Sequence, residues 1–217
     1  MSYFHSVSRA GLSRRQIIFG MVVVMILGAV VVAEGVSYLK LHSTEHAVES
    51  ARTLNTLLAQ YATDNDGVYP AGEGTRAQGK SEGIALDLLL NNYTPNADVF
   101  AVGSTPRYAG TAKDYADLGP ENMSWDFTAG ANATTGIKSD APDFLPVLYT
   151  TGETVDYGRI GVLEPSGKGP FGRKGIIVAD KGGGVFYLPG QPDNNELPRD
   201  FIRGNLTGTG TYTQVRP

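Results

Sequence analysis

The 217-residue chain contains no cysteine, so it can build no disulfide scaffold, thiolate metal centre or cysteine nucleophile. Proline is held back. There are 12, but the first is Pro70, so nothing before it forces a helix to break. Histidine is confined to His5, His42 and His46. Everything after His46 therefore lacks an imidazole base. With no Gly-x-Ser-x-Gly elbow either, a serine–histidine site is excluded from that part. Acidic residues are missing from the beginning of the chain, where none precedes Glu34, and from Ile17 to Ala33 there is no charge of either sign.

Charge is divided unevenly as a result. Residues 1–40 carry Arg9, Arg14, Arg15 and Lys40 against Glu34, whereas residues 41–217 hold 14 basic and 21 acidic side chains. A domain that acidic repels phosphate backbones, and no nucleic-acid partner is expected. The uncharged run IIFGMVVVMILGAVVVA is at the short end of a membrane span. Three arginines before it and none of the opposite sign put residues 1–16 on the cytoplasmic side and the remainder outside. Tyr38 and Lys40 suit the far interface. Val31-Val32-Ala33 also offers the small residues of a signal-peptidase site. Helical patterning, however, runs straight through that point.

Ala47, Ala51, Leu54, Leu58 and Tyr61 recur at steps of four and three, one face of a helix, and Val48 and Leu57 widen it. Glu45, Glu49, Arg52, Thr56, Gln60 and Thr63 occupy the opposite face. A rod from Leu12 to Thr63 would be roughly 75–80 Å long at the α-helical rise. Its lower part, residues 17–35, is read as transmembrane, and residues 36–63 as an amphipathic stem. The stem should stop at Asp64-Asn65-Asp66-Gly67, where glycine supplies a left-handed cap and Pro70 prevents continuation. Residues 64–217 are then an extracytoplasmic globular domain.

Leu57-Leu58-Ala59-Gln60-Tyr61-Ala62-Thr63-Asp64-Asn65-Asp66-Gly67-Val68-Tyr69-Pro70 resembles the end of the long helix in type II secretion pseudopilins. Ser81 to Leu90 is similar to the short helix that follows in that family, and Gly175 to Leu188 to the hairpin near the end of pilin-like proteins. Arg9-Ala10-Gly11 can be read as the end of a prepilin leader cut before Leu12, with Gln16 at the family's glutamate position. Leu12-Ser13-Arg14-Arg15 departs from the family by placing two arginines among positions that should be apolar. The resemblance implies a single-pass protein of a bacterial inner membrane, with its C-terminal domain periplasmic or extracellular. It implies a structural subunit, not an enzyme, that packs against like or related subunits and meets secretion or pilus assembly machinery. Gln16, Ile17, Gly20 and Gly28 are the expected assembly positions. Gly20 and Gly28 also stand about two helical turns apart, where small residues permit close packing in lipid.

Beyond Pro70, Ala71 to Gly79 reads as a glycine-rich loop, and Ser81 as the cap of a helix running to Asn92 with Ile84, Leu88 and Leu89 on its apolar side. Residues 95–140 read as irregular around Trp125 and Phe127. Strands are expected at Phe144 to Tyr149, Arg159 to Leu163, Gly175 to Ala179, Val185 to Leu188 and Tyr212 to Val215. Lys181-Gly182-Gly183-Gly184 should form a hairpin turn, and Pro146 marks a strand start or an edge. The sum is an α+β fold, a long N-terminal helix across a small antiparallel sheet.

Two patterns suggest metals. His42-Ser43-Thr44-Glu45-His46 resembles the inverted zincin H-x-x-E-H, whose histidines share one helix side, with Glu121 as the downstream glutamate. The plainer reading is a polar stem face. Asp193, Asn194 and Glu196 form an oxygen-rich loop that could take calcium, as C-terminal loops of type II pseudopilins do; a polar turn is the alternative. Asp64-Asn65-Asp66-Gly67 begins like a calcium loop, but Thr75 stands where the closing glutamate belongs. A membrane-tethered binding domain that never polymerises is the alternative function, with a zinc peptidase behind it.

Overall fold

The computed structural model describes residues 44–110, 115–157, 162–165, 169–172, 175–189 and 210–217. The first element is a helix over residues 44–64, here α1. Its expected apolar stripe is the buried one: Ala47, Ala51, Leu54 and Leu58 are in the core, with Tyr61, Val48 and Leu57 half-buried beside them. Glu45, Glu49, Arg52, Thr56, Gln60 and Thr63 are all exposed. The helix ends where its sequence turns to Asp-Asn-Asp-Gly. Gly67 donates its amide to the Ala62 carbonyl at 2.8 Å, and Asn65 Nδ2 caps the Tyr61 carbonyl at 2.8 Å. Asp66 and Gly67 have φ of 53° and 79°, the left-handed values that stop a helix. A Cβ on Gly67 would also stand 2.5 Å from Ser139 Oγ.

A five-stranded antiparallel sheet in the order β6-β5-β2-β1-β7 forms the centre. Its strands are β1 (Trp125–Ala129), β2 (Pro146–Thr150), β5 (Gly175–Asp180), β6 (Val185–Pro189) and β7 (Thr213–Val215). A separate two-stranded ribbon pairs β3 (Glu153–Asp156) with β4 (Val162–Pro165). The pairing register sorts the side chains into two faces. Phe127 lies opposite Leu148 and Val215, and Leu148 opposite Ala179. These residues, with Trp125, Ala129 and Ile177, belong to the same buried cluster as the α1 stripe. One polar bond adds to that contact, Asn55 Nδ2 donating to the Asp180 carbonyl at 3.0 Å. The α+β class and the small antiparallel sheet are as expected.

The short helix α2 (Ser81–Leu90) departs from expectation in two ways. Ser81 is not its cap. Lys80 holds that position without a side-chain bond, and Ser81 instead donates its Oγ to the Val215 carbonyl (3.0 Å) and its amide to the Arg216 carbonyl (3.1 Å). The orphan carbonyls of the last strand claim those donors. Nor is α2 one-sided, since every residue from Ser81 to Leu89 is buried, Glu82 and Asp87 included. It ends at Leu90 with Asn91 as C-cap, short of Asn92.

Residues 95–140 are less irregular than expected. They hold 3-10 turns at Ala97–Phe100 and Pro120–Asn122 and also β1, which pairs with both β2 and β7. Pro146 does begin a strand, though β2 lies inside the sheet between β1 and β5. The β5–β6 hairpin turns at the three glycines, with Gly184 donating its amide to Asp180 Oδ1 at 2.7 Å. The strand expected at Arg159 to Leu163 is described only from Val162, as β4, and its partner β3 was not foreseen.

Candidate functional site

The exit of α1 is where the described structure and the family-like sequence meet. Tyr69 and Pro70 are buried, and Tyr69 donates its amide to the Ile137 carbonyl at 2.9 Å. Tyr61 is stacked at a tilt on Tyr93, with ring centroids 5.2 Å apart. The Tyr93 hydroxyl donates to Asp64 Oδ2 (3.2 Å), and Asn65 Nδ2 donates to that hydroxyl (3.3 Å). Asp64, Asn65 and their neighbours therefore end a helix and brace a tyrosine. Behind them Asp87 is buried, which raises its pKa, although hydrogen bonds from Tyr61, Asn91 and the Gly72 amide pull it back. Burial, followed by the Asp87 charge, raises the Tyr61 hydroxyl in turn. This junction holds the C-terminal end of α1 to the chain that follows it.

His46 and Glu45 are exposed on α1. His46 lines an open groove of about 350 Å³ with Glu49, Ser50, Asp98 and Arg107. The charged groups there are already matched: Arg107 with Asp98 at 3.5 Å, and Arg52 with Glu49 at 3.4 Å, both exposed pairs of small energetic worth. Glu121 is an exposed residue of the second 3-10 turn. Among the described residues, no three His, Asp or Glu side chains gather where they could hold a metal ion. His42, the calcium candidates Asp193, Asn194 and Glu196, and the processing and assembly positions Gly11, Leu12, Gln16, Ile17, Gly20 and Gly28 lie outside the described residues. So does the expected span over residues 17–35; among the described residues no helix is long and apolar enough to cross a membrane.

Sequence reasoning missed the other face of the sheet. Asp126 is fully buried there opposite Tyr149, and Gln214 lies opposite Thr128. Gln214 Nε2 donates to Asp126 Oδ2 at 2.7 Å, and Arg216 Nε stands 3.9 Å from the same oxygen. Among the described residues, Asp126 Oδ1 has no hydrogen-bond partner. Burial dominates and pushes this carboxyl up to about 6, even though Thr151, Gln214 and Arg216 all favour its charged form.

Beside it runs a chain of hydroxyls, Tyr149 to Tyr157 at 3.0 Å and Tyr157 to Thr128 at 2.7 Å. Thr128 gives its single proton to the Pro146 carbonyl. Tyr157 must then donate to Thr128, and Tyr149 to Tyr157, because each hydroxyl has one proton to give. Val155 and Tyr157 pack with Tyr149, Ile176 and Val178 in a small second core under the ribbon. The only hint in the sequence is the alternation of Trp125, Asp126, Phe127 and Thr128, which distinguishes two faces without saying that both are covered.

No family model matches the chain, and no curated protein or solved structure matches it.

Proposed function

We propose that this chain is a membrane-anchored structural subunit, similar to type II secretion pseudopilins, that assembles with like subunits through its apolar N-terminal helix. The observation that carries this reading is α1. Its stripe of Ala47, Ala51, Leu54 and Leu58 is buried with the sheet, and it ends in the Asp64-to-Pro70 exit that resembles the family. The uncharged run Ile17–Ala33 precedes that stripe with no proline between them. In this reading residues 17–35 hold the chain in the inner membrane, N-terminus inside, and pack against neighbouring subunits. Gly20 and Gly28 permit close approach. The globular part is periplasmic or extracellular and makes lateral contacts, and the protein is not an enzyme.

N-terminal sequencing of protein recovered from cells tests this together with immunoelectron microscopy of sheared surface material. A mature chain beginning at Leu12, present in filaments, is expected. The Arg14-Arg15 pair and Gln16 favour a second reading, a tethered domain that stays monomeric in the membrane. An intact N-terminus and no label on sheared material select that reading. Stoichiometric zinc in the purified protein, lost in His46→Ala, would overturn both and restore the peptidase.

A further inference from the structure

The last strand, the ribbon and the buried carboxyl form one connected unit. β7 and the residue after it bring Gln214 and Arg216 over Asp126. Gln214 Oε1 accepts from the Val155 amide of the ribbon at 3.2 Å, and Arg216 Nη2 donates to Thr154 Oγ1 and to Gln214 Oε1, both at 2.9 Å. The same residues that cover Asp126 thus also tie the ribbon to the edge of the sheet. β7 has three residues and, among the described strands, pairs with β1 alone. We propose that β7 and the β3–β4 ribbon form a cover over the second face of the sheet that closes more tightly in acid, with the Asp126 carboxyl as its proton-binding group.

The physical reason is the cost of sealing a carboxylate away from water. When the cover is shut, Asp126 is fully buried and Oδ1 has no donor, so an ionised group is poorly solvated. A neutral carboxyl removes that cost and can still accept from Gln214 through Oδ2. When the cover lifts, water reaches the carboxyl and its proton affinity returns to the ordinary range. Among the described residues, the titratable or charged side chains facing Asp126 are Tyr149 from β2, Tyr157 after β3 and Arg216 just after β7. Both phenols have their pKa values raised by burial, so they stay neutral, and Arg216 at 3.9 Å offsets the charge only in part. The closed state therefore binds the proton more tightly than the open one, and closure must strengthen as pH falls. Opening frees the outer edge of β1, whose backbone groups could then pair with another strand.

Hydrogen exchange on the full chain in detergent micelles, corrected for the intrinsic pH dependence of exchange, tests the proposal. Peptides covering residues 153–157 and 211–217 report the cover. With the carboxyl at about 6 when closed, their opening should increase about tenfold from pH 5 to pH 7.5. In Asp126→Asn, which holds the site neutral at every pH, that increase should vanish. Equal opening at both pH values in the unaltered protein, or the same increase in Asp126→Asn, would overturn the proposal. Should Asp126→Asn not fold, carboxyl ¹³C titration of the unaltered chain decides. A midpoint near 6 for Asp126 upholds the idea, and one below about 4.5 removes its basis.

Discussion

Single atoms decide the buried polar layer. Asp126 has a folded-state pKa of about 6 against an ordinary 3.8. A raised acid favours folding while it is protonated, so its contribution is complete below about pH 4 and is lost as pH rises through 6. Between pH 4.5 and pH 7.5 the loss should come to about 2 kcal/mol, read as the change in the difference in denaturant stability between the unaltered chain and Asp126→Asn. The hydroxyl chain makes a second, asymmetric prediction. Thr128→Val strips the acceptor from the Tyr157 proton and the donor from Pro146, leaving buried groups unmatched. It should cost about 1–3 kcal/mol. Tyr149→Phe removes only the first donor in the line and should cost less, about 1 kcal/mol or under. Equilibrium urea unfolding of the two variants would rank them. None of this was readable beforehand. Asp126 and Thr128 occupy the alternate positions of β1 that would face solvent in a one-sided sheet.

At the scale of the element, α1 was the most legible part of the chain. Its burial follows the period of its apolar residues, and its end follows the Asp-Asn-Asp-Gly sequence, because both rest on local geometry. Leu54 is completely buried against the sheet, so Leu54→Ala should cost about 2–5 kcal/mol in urea unfolding. Arg52→Ala, on the exposed face, should stay within about 0.5 kcal/mol. Gly67→Ala should cost about 1–2 kcal/mol or more, seen as a lower Tm. It forces a Cβ onto a φ of 79° and against Ser139. α2 was less legible. Its apolar positions suggested one buried side, yet Glu82 and Asp87 are buried as well. The donors that Ser81 gives to β7 involve a partner 134 residues away, which no local signal announces.

For the whole molecule, the unit Ser43–Pro217 contains all the described packing and a core that includes Leu54, Trp125, Phe127 and Ile177. A fragment spanning residues 43–217 should therefore fold alone, with a cooperative thermal transition in the near-ultraviolet dichroism of Trp125. A broad, non-cooperative melt would show that the domain depends on residues 1–42. The sequence by itself determined the α+β class, α1 and its exit, most strands and the glycine turn of the β5–β6 hairpin. Each of these is written in the spacing of residues along one stretch of chain. Only the tertiary structure decided that β1 lies inside the sheet, that β7 joins it at the far edge, and that Gln214 and Arg216 come to lie against Asp126 on the second face. Those outcomes depend on which distant strands meet. A period of two assigns a side chain to a face but is silent about what comes to cover it.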